Sequence, residues 1–180
     1  MSQPEQFTFF WGGPFSQWFK AAFTIDGQVY NTAEQYMMAE KARQFGDEET
    51  RAKILKSNQP DVQKRLGREV KGFDSEIWNV IAREIVYQGN RAKFTTHGDL
   101  LQMLFDTQGT SLVEASPTDK IWGIGLAADA EDAKDRLKWL GTNWLGEVLQ
   151  RVRDDLLEES PPRGIPDMMD QAAREQKTPS

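Results

Sequence analysis

The sequence predicts a mostly helical α+β domain with a small β-hairpin near its N-terminus. Three observations carry that expectation. Asp26-Gly27 separates two short β-type runs, residues 22–25 and 28–30, as the two-residue turn of a tight hairpin does. Apolar residues afterwards recur at helical spacing through most of the chain. The 180 residues suffice for one domain with a proper core and are too few for two comfortable ones.

In order, Phe7-Thr8-Phe9-Phe10 reads as a short strand, followed at 11–19 by an aromatic segment broken by turn formers. The hairpin then delivers the chain to a helix that starts after Asn31-Thr32 and runs to about Phe45. Thr32 and Gln35 have capping-box spacing: the threonine oxygen accepts the N–H of the third helical residue, and the glutamine reaches back to the cap. Residues 61–67 form a short helical pattern. Ile77, Trp78, Ile81, Ile85 and Val86 make one apolar stripe, and Leu100, Leu101, Leu104 and Phe105 another. Leu112-Val113-Glu114-Ala115 reads as a strand. Trp144, Leu145, Val148, Leu149, Val152 and Leu156 line one face of a long final helix, which Ser160-Pro161-Pro162 breaks. The domain is therefore expected at 7–159, with a flexible polar tail at 160–180. No internal repeat or low-complexity tract interrupts it.

Composition removes several function classes. With no cysteine, disulfides, thiol nucleophiles and thiolate metal sites are excluded. The single histidine, His97, sits in a loop leading into a helix and reads as a capping or surface residue. Acid–base chemistry must therefore come from carboxylates, with neither metal nor cofactor expected. A net charge of −6 argues against a general nucleic-acid binder, which needs a basic footprint, although a local basic pocket remains compatible with it. Membrane-length apolar runs and signal-peptide features are missing, so a cytoplasmic protein with no membrane partner is expected.

The first chemical candidate is Glu34, in the first turn of the capped helix. Free N–H groups and the positive end of the helix dipole there favour an ionised carboxylate. Dipole complementation alone is the simpler account of that position. Lys41 lies two helical turns along the same face and would line the deeper end of any pocket that Glu34 enters. Trp78 and Trp144 fall on core stripes. Trp11, Trp18 and Trp122 lie in turn-rich stretches, where an indole more often stacks on a flat ligand. Trp122-Gly123-Ile124-Gly125 has neither a Walker ending nor a dinucleotide fingerprint. Basic residues gather at Lys64, Arg65 and Arg68 and again at Arg91 and Lys93, most of them readable as solvated helix faces. Glu34 and Asp119, with loop tryptophans and a few cations, suggest carboxylate-driven chemistry on a phosphorylated ligand with a flat base.

Taken in order, a set of segments resembles the NADAR or YbiA-like family. They are Phe15-Ser16-Gln17-Trp18-Phe19, Thr32-Ala33-Glu34-Gln35-Tyr36 with Lys41, Leu66-Gly67-Arg68, Trp78, and Arg91-Ala92-Lys93-Phe94. Leu112-Val113-Glu114-Ala115, Asp119 with Trp122-Gly123-Ile124-Gly125, and Gly141-Thr142-Asn143-Trp144-Leu145-Gly146 complete the set. Each motif is unspecific alone; their shared order is not.

The resemblance implies a single YbiA-like domain that hydrolyses N-glycosidic bonds. Family members cleave ribosylamino pyrimidine intermediates of riboflavin biosynthesis and release ribose 5-phosphate, while related members remove ADP-ribose from guanine. By this resemblance Glu34 and Asp119 are catalytic. Trp78 and Trp122 hold the leaving base, Lys41, Arg68 and Lys93 are candidates for the phosphate, and Trp18 and Asn143 complete the substrate-binding set. The expected partner is a phosphorylated ribosyl small molecule, with nucleic acid only as a modified substrate. A charged Glu34 would suit oxocarbenium stabilisation, water activation or attack on C1 better than general acid catalysis. A non-catalytic NAD or ADP-ribose-binding module is the alternative from another class. In place of the more acidic, Gly-rich stretch of some riboflavin-type relatives, this chain has Ile124-Gly125-Leu126-Ala127-Ala128, which bears on the substrate subgroup more than on the reaction.

Overall fold

In the computed structural model of the protein, residues 2–159 are described, and the tail expected at 160–180 lies outside them. The elements follow as β1 (Phe7–Phe10), β2 (Phe23–Ile25), β3 (Gln28–Tyr30), α1 (Ala33–Gln44), α2 (Glu48–Lys56) and α3 (Pro60–Arg68). Then come α4 (Ser75–Thr96), α5 (Gly98–Phe105), β4 (Ser111–Glu114) and α6 (Trp144–Glu159). The fold is α+β and mostly helical, as its sequence predicts.

Strands β2 and β3 form the antiparallel hairpin, and both turn residues hold positive φ, Asp26 at 50° and Gly27 at 79°. That pair of left-handed residues is what a two-residue hairpin turn matched to strand twist requires. Strands β1 and β4 pair in parallel, Phe7 opposite Ser111 through Phe10 opposite Glu114. Successive side chains of β4 point to opposite faces. Leu112 enters the main core beneath the helices, and Val113 enters a smaller core with Ile124 and Ala133.

Helix α1 is the central element, packed against α2, α3 and α4 and buried on almost every face. Its cap differs from the expected box in one respect. Thr32 Oγ1 accepts the Gln35 N–H at 3.0 Å, but Gln35 Oε1 accepts from Asn31 N at 2.7 Å, one residue before the cap. The Gln35 amide nitrogen donates to Ile54 O and Ser57 O at the end of α2, at 3.1 and 3.0 Å, which fixes the orientation of the whole amide.

Helix α2 was not predicted, because only Thr50 and Ile54 are buried and its apolar period is too sparse to read. Its start is nevertheless encoded: Asp47 accepts the Thr50 N–H at 3.0 Å, with Glu48 and Glu49 in the first turn. His97 joins α4 to α5, and its Nε2–H donates to Ala22 O at 2.7 Å, tying the helical layer to the hairpin.

Helix α6 lies directly on the backbone of β4. A Cβ on Gly146 would come within 2.0 Å of Leu112 O, so only glycine allows that approach. Among the described residues, no helix is long and apolar enough to cross a membrane.

Candidate active site

A cavity of about 770 Å³ opens where α1, α3, α4, the 11–18 segment and the loop after β4 converge. Each wall follows from a local feature of the sequence. Glu34, Met37, Met38 and Lys41 all line it, the i, i+3, i+4, i+7 set of one helical face. Lys64 and Arg68 line it from α3, and Trp78 from the first turn of α4. The Lys41 ammonium lies 4.2 Å from the Phe73 ring centroid and 5.8 Å from that of Trp78, and Lys64 lies 5.9 Å from that of Trp18. Three cations therefore share the cavity with several indoles.

The loop after β4 supplies the acidic wall. Asp119 Oδ1 accepts from Ile121 N at 2.9 Å and Trp122 N at 2.8 Å, and Asp119 N donates to Ser116 Oγ at 3.1 Å. This turn places Asp119 and Trp122 on the cavity together. The loop is also stitched to the segment leading into α6, through Leu140 N to Ile124 O, Thr142 N to Lys120 O and Leu145 N to Trp122 O. Glu114 ends β4 on the face that Leu112 occupies, and it too lines the cavity.

Burial pushes the Glu34 carboxyl up to about 7; Lys64 opposes this, Asp119 reinforces it, and Lys41 and Arg68 oppose it further. The helix start alone therefore does not fix the charge of Glu34, whose two forms both exist near neutral pH. The first-turn donors are engaged elsewhere: Glu34 N donates to Gln17 O at 2.9 Å and Gln35 N to Thr32 Oγ1. Desolvation then exceeds the dipole's help. Glu114 is likewise pushed up to about 7, by burial first and then by Asp119 and Glu34, with Lys64 opposing. Burial also lowers Lys41, partly offset by Glu34.

These shifts have a thermodynamic consequence. Glu34 and Glu114 bind protons in the folded state up to about pH 7, whereas in the unfolded chain they release them near 4.5. The folded state thus holds more protons between those limits, and stability falls as pH rises through that window. Glu5, Glu84 and Asp47 are shifted the other way, below their ordinary values, and Lys93, pushed down to about 7 by burial, begins to oppose the fall only at the upper end of the window. The melting temperature is expected to drop between pH 5 and 7, and Glu34→Gln should flatten the drop; a melting curve rising over that interval would contradict the assignment.

Of the residues expected at the site, Glu34, Asp119, Trp18, Lys41, Arg68, Trp78 and Trp122 line the cavity. Lys93 does not. It is fully buried, and its ammonium donates to Pro14 O at 2.6 Å and Ser16 O at 3.1 Å, so it anchors the loop carrying Trp18 and has no free face for phosphate. Asn143 is also buried and away from the cavity, at φ 55°, with Oδ1 accepting from Glu114 N at 3.0 Å and Nδ2 donating to Leu112 O at 2.9 Å. Both bonds hold the backbone of β4. Lys64, Glu114 and Gln17 also line the cavity and are not among the expected site residues. The departing stretch that begins at Ile124 stays off the cavity wall, with Ile124 in the smaller core. Among the described residues, no group of histidines and carboxylates comes together as a metal site.

An α+β domain whose central helix carries a buried glutamate into a cavity of indoles and cations is the class of protein defined here. The chain belongs to the NADAR domain family, whose sequence model matches residues 9–157. It is 44% identical over 146 residues to N-glycosidase R617 of Acanthamoeba polyphaga mimivirus, covering 78% of this chain and 86% of that one. It is 31% identical over 147 residues to N-glycosidase YbiA of Escherichia coli, 82% of this chain and 83% of the relative. The NMR structure of YbiA superposes with a TM-score of 0.72 at 26% identity, over 91% of this chain and 93% of that one. A maize protein named riboflavin biosynthesis protein PYRR, chloroplastic, is 31% identical over 140 residues, which is 74% of this chain and 21% of that longer protein.

Proposed function

We propose that the protein is an N-glycosidase that hydrolyses the C1–N bond of a ribosylated, phosphate-bearing small molecule. The ribosylaminopyrimidine intermediates of riboflavin biosynthesis are the substrates this reading favours, with ribose 5-phosphate as a product. The observation that carries it is the joint placement of Glu34, Trp78 and Trp122, and the cations Lys41, Lys64 and Arg68 on one cavity. The names of the mimivirus, bacterial and maize relatives agree with that reaction and pathway.

Cleavage of the C1–N bond builds positive charge on the ribose ring. In its ionised form Glu34 stabilises that charge and takes a proton from the attacking water, and both effects are stronger in the transition state than in the ground state. Lys41, Lys64 and Arg68 attract the phosphate, and the indoles pack against the leaving base. Asp119, held by two backbone N–H groups, adds negative charge that the developing cation also feels. Incubation with the ribosylaminopyrimidine intermediates and an assay for ribose 5-phosphate is the direct test. Absence of product from these, and from ADP-ribosylated guanine, overturns the hydrolase reading.

The second reading is removal of ADP-ribose from guanine. The exposed indoles Trp11 and Trp18 at the cavity, 68% and 43% accessible, extend it with stacking surface beyond what a single pyrimidine covers. Turnover of an ADP-ribosylated guanine oligonucleotide, with none on the pyrimidines, would favour it.

A further inference from the structure

We propose that Glu114 is the general acid of the reaction, protonating the leaving nitrogen while Glu34 receives the proton of the attacking water. The inference rests on the N-glycosidase reading and assigns the second half of its chemistry.

Four observations support the division of roles. Glu114 shares the cavity with Glu34 but reaches it from the opposite layer, on a strand instead of a helix. Its backbone is held on both sides, N–H by Asn143 Oδ1 at 3.0 Å and carbonyl by Ile124 N at 3.0 Å, so the carboxyl is presented from a rigid base. Its Oε2 is buried with no hydrogen-bond partner in the protein. A bare carboxylate oxygen in that position is costly, whereas a protonated carboxyl is neutral, and the residue's place on the cavity wall lets that carboxyl offer its O–H to a ligand.

The fourth observation decides which of the two glutamates carries the proton. Two carboxyls that repel one another across a desolvated cavity titrate as a pair and tend to share one proton. Burial and Asp119 oppose the charged form of Glu34, while Lys64 and Arg68 from α3 and Lys41 from α1 favour it. Glu114 feels Asp119 and Glu34, both opposing its charge, and only Lys64 favouring it. Both carboxyls are pushed up to about 7, so near neutral pH the pair holds a proton; the cations that line the cavity around Glu34 favour the charge there, and the unpartnered Oε2 favours the proton on Glu114.

The step balances. The C1–N bond breaks with its electron pair left on nitrogen, and that nitrogen takes the proton from the Glu114 carboxyl. Water oxygen bonds to C1 and gives its proton to Glu34. The products are ribose 5-phosphate and the free amine, and proton exchange with solvent through the open cavity returns the pair to its starting state. An aminopyrimidine without that proton would have to leave as a high-energy anion, which is why the acid matters for this substrate class.

The test is a leaving-group series of N-ribosyl 5-phosphate aminopyrimidines whose ring substituents make the departing nitrogen more or less basic. Wild-type kcat should vary weakly along the series. Glu114→Gln should lose roughly 10²–10⁴-fold on the poorest leaving group and recover steeply on the best. Its kcat/KM profile should also lose the alkaline limb that the wild type shows. Glu114→Asp, which keeps an acid on a shorter arm, should fold, retain the alkaline limb and show an intermediate slope; it decides the matter if the glutamine variant does not fold. A Glu114→Gln enzyme with wild-type slope and alkaline limb, or a Glu114→Asp enzyme lacking that limb, overturns the assignment and leaves the hydrolase reading standing. A wild type inactive on the whole series and on ADP-ribosylated guanine overturns both.

Discussion

Glu34→Gln is expected to fold as the wild type does and to lose turnover by roughly 10²–10⁴-fold, the range for a positioned base or charge acting in the transition state. Glutamine keeps the size and helix propensity of glutamate, and the cap contacts of α1 involve Thr32, Asn31 and Gln35, not the Glu34 carboxyl. The substitution also removes a buried charge, so above pH 7 the variant should melt at or above the wild-type temperature. Substrate affinity should change little, or tighten slightly as a negative charge leaves the cavity proposed to receive the phosphate. If Glu34 served only the helix dipole, the cost would be about 0.3–1 kcal/mol of stability and none of rate. Single-turnover rates beside melting curves separate the two outcomes, and near-normal turnover would remove Glu34 from the mechanism.

Trp78→Ala is expected to damage both stability and activity. The indole is 8% exposed, belongs to the main core and also lines the cavity near the Lys41 ammonium. Large-to-small aromatic truncation in a core costs about 3–5 kcal/mol. For a domain of this size that lowers Tm by roughly 6–20 °C. Activity should fall further than the unfolded fraction explains, because the same ring lines the cavity where the base is proposed to lie. An unchanged melting temperature would show that the indole is not part of the core.

The legible parts of this molecule are those where a local pattern has one meaning. Asp26-Gly27 between β-type runs could only be a tight hairpin, and the stripes at 77–86 and 144–156 could only be helices with one buried face. Thr32 and Gln35 disclosed the start of α1, and with it the direction of Glu34 and Lys41. What stayed hidden depends on burial, which sequence spacing does not report. Lys93 carries the same motif whether its ammonium meets a phosphate or the carbonyls of Pro14 and Ser16. Glu114 enters the sequence reading only as one residue of the strand at 112–115. Only the period-two alternation from Leu112, combined with knowing which layer lay beyond, would have turned it toward the cavity. Glu34 is legible as a site residue, but the burial that raises its carboxyl is not, because the donors of its turn are taken by Gln17 and Thr32, one of them from a distant segment.

The parallel pairing of β1 with β4 bears on how this protein comes into being. The hydroxyls of Thr8 and Thr110, beside that pairing, bond at 2.6 Å across 102 positions of sequence. The hairpin and the α1–α3 cluster need only near neighbours and can form as soon as they are synthesised. The strand bearing Glu114 has to wait for α6 to emerge behind it and for the N-terminal strand to be recovered from the far end of the chain. Contacts of that separation slow folding, since the loop must close before any of them forms. The part of the cavity on α1 and α3, with Glu34 and the three cations, is thus expected to exist, on the ribosome and in refolding, before Glu114, Asp119 and Trp122 arrive. An early intermediate of that kind would bind a phosphate without being able to act on the sugar attached to it.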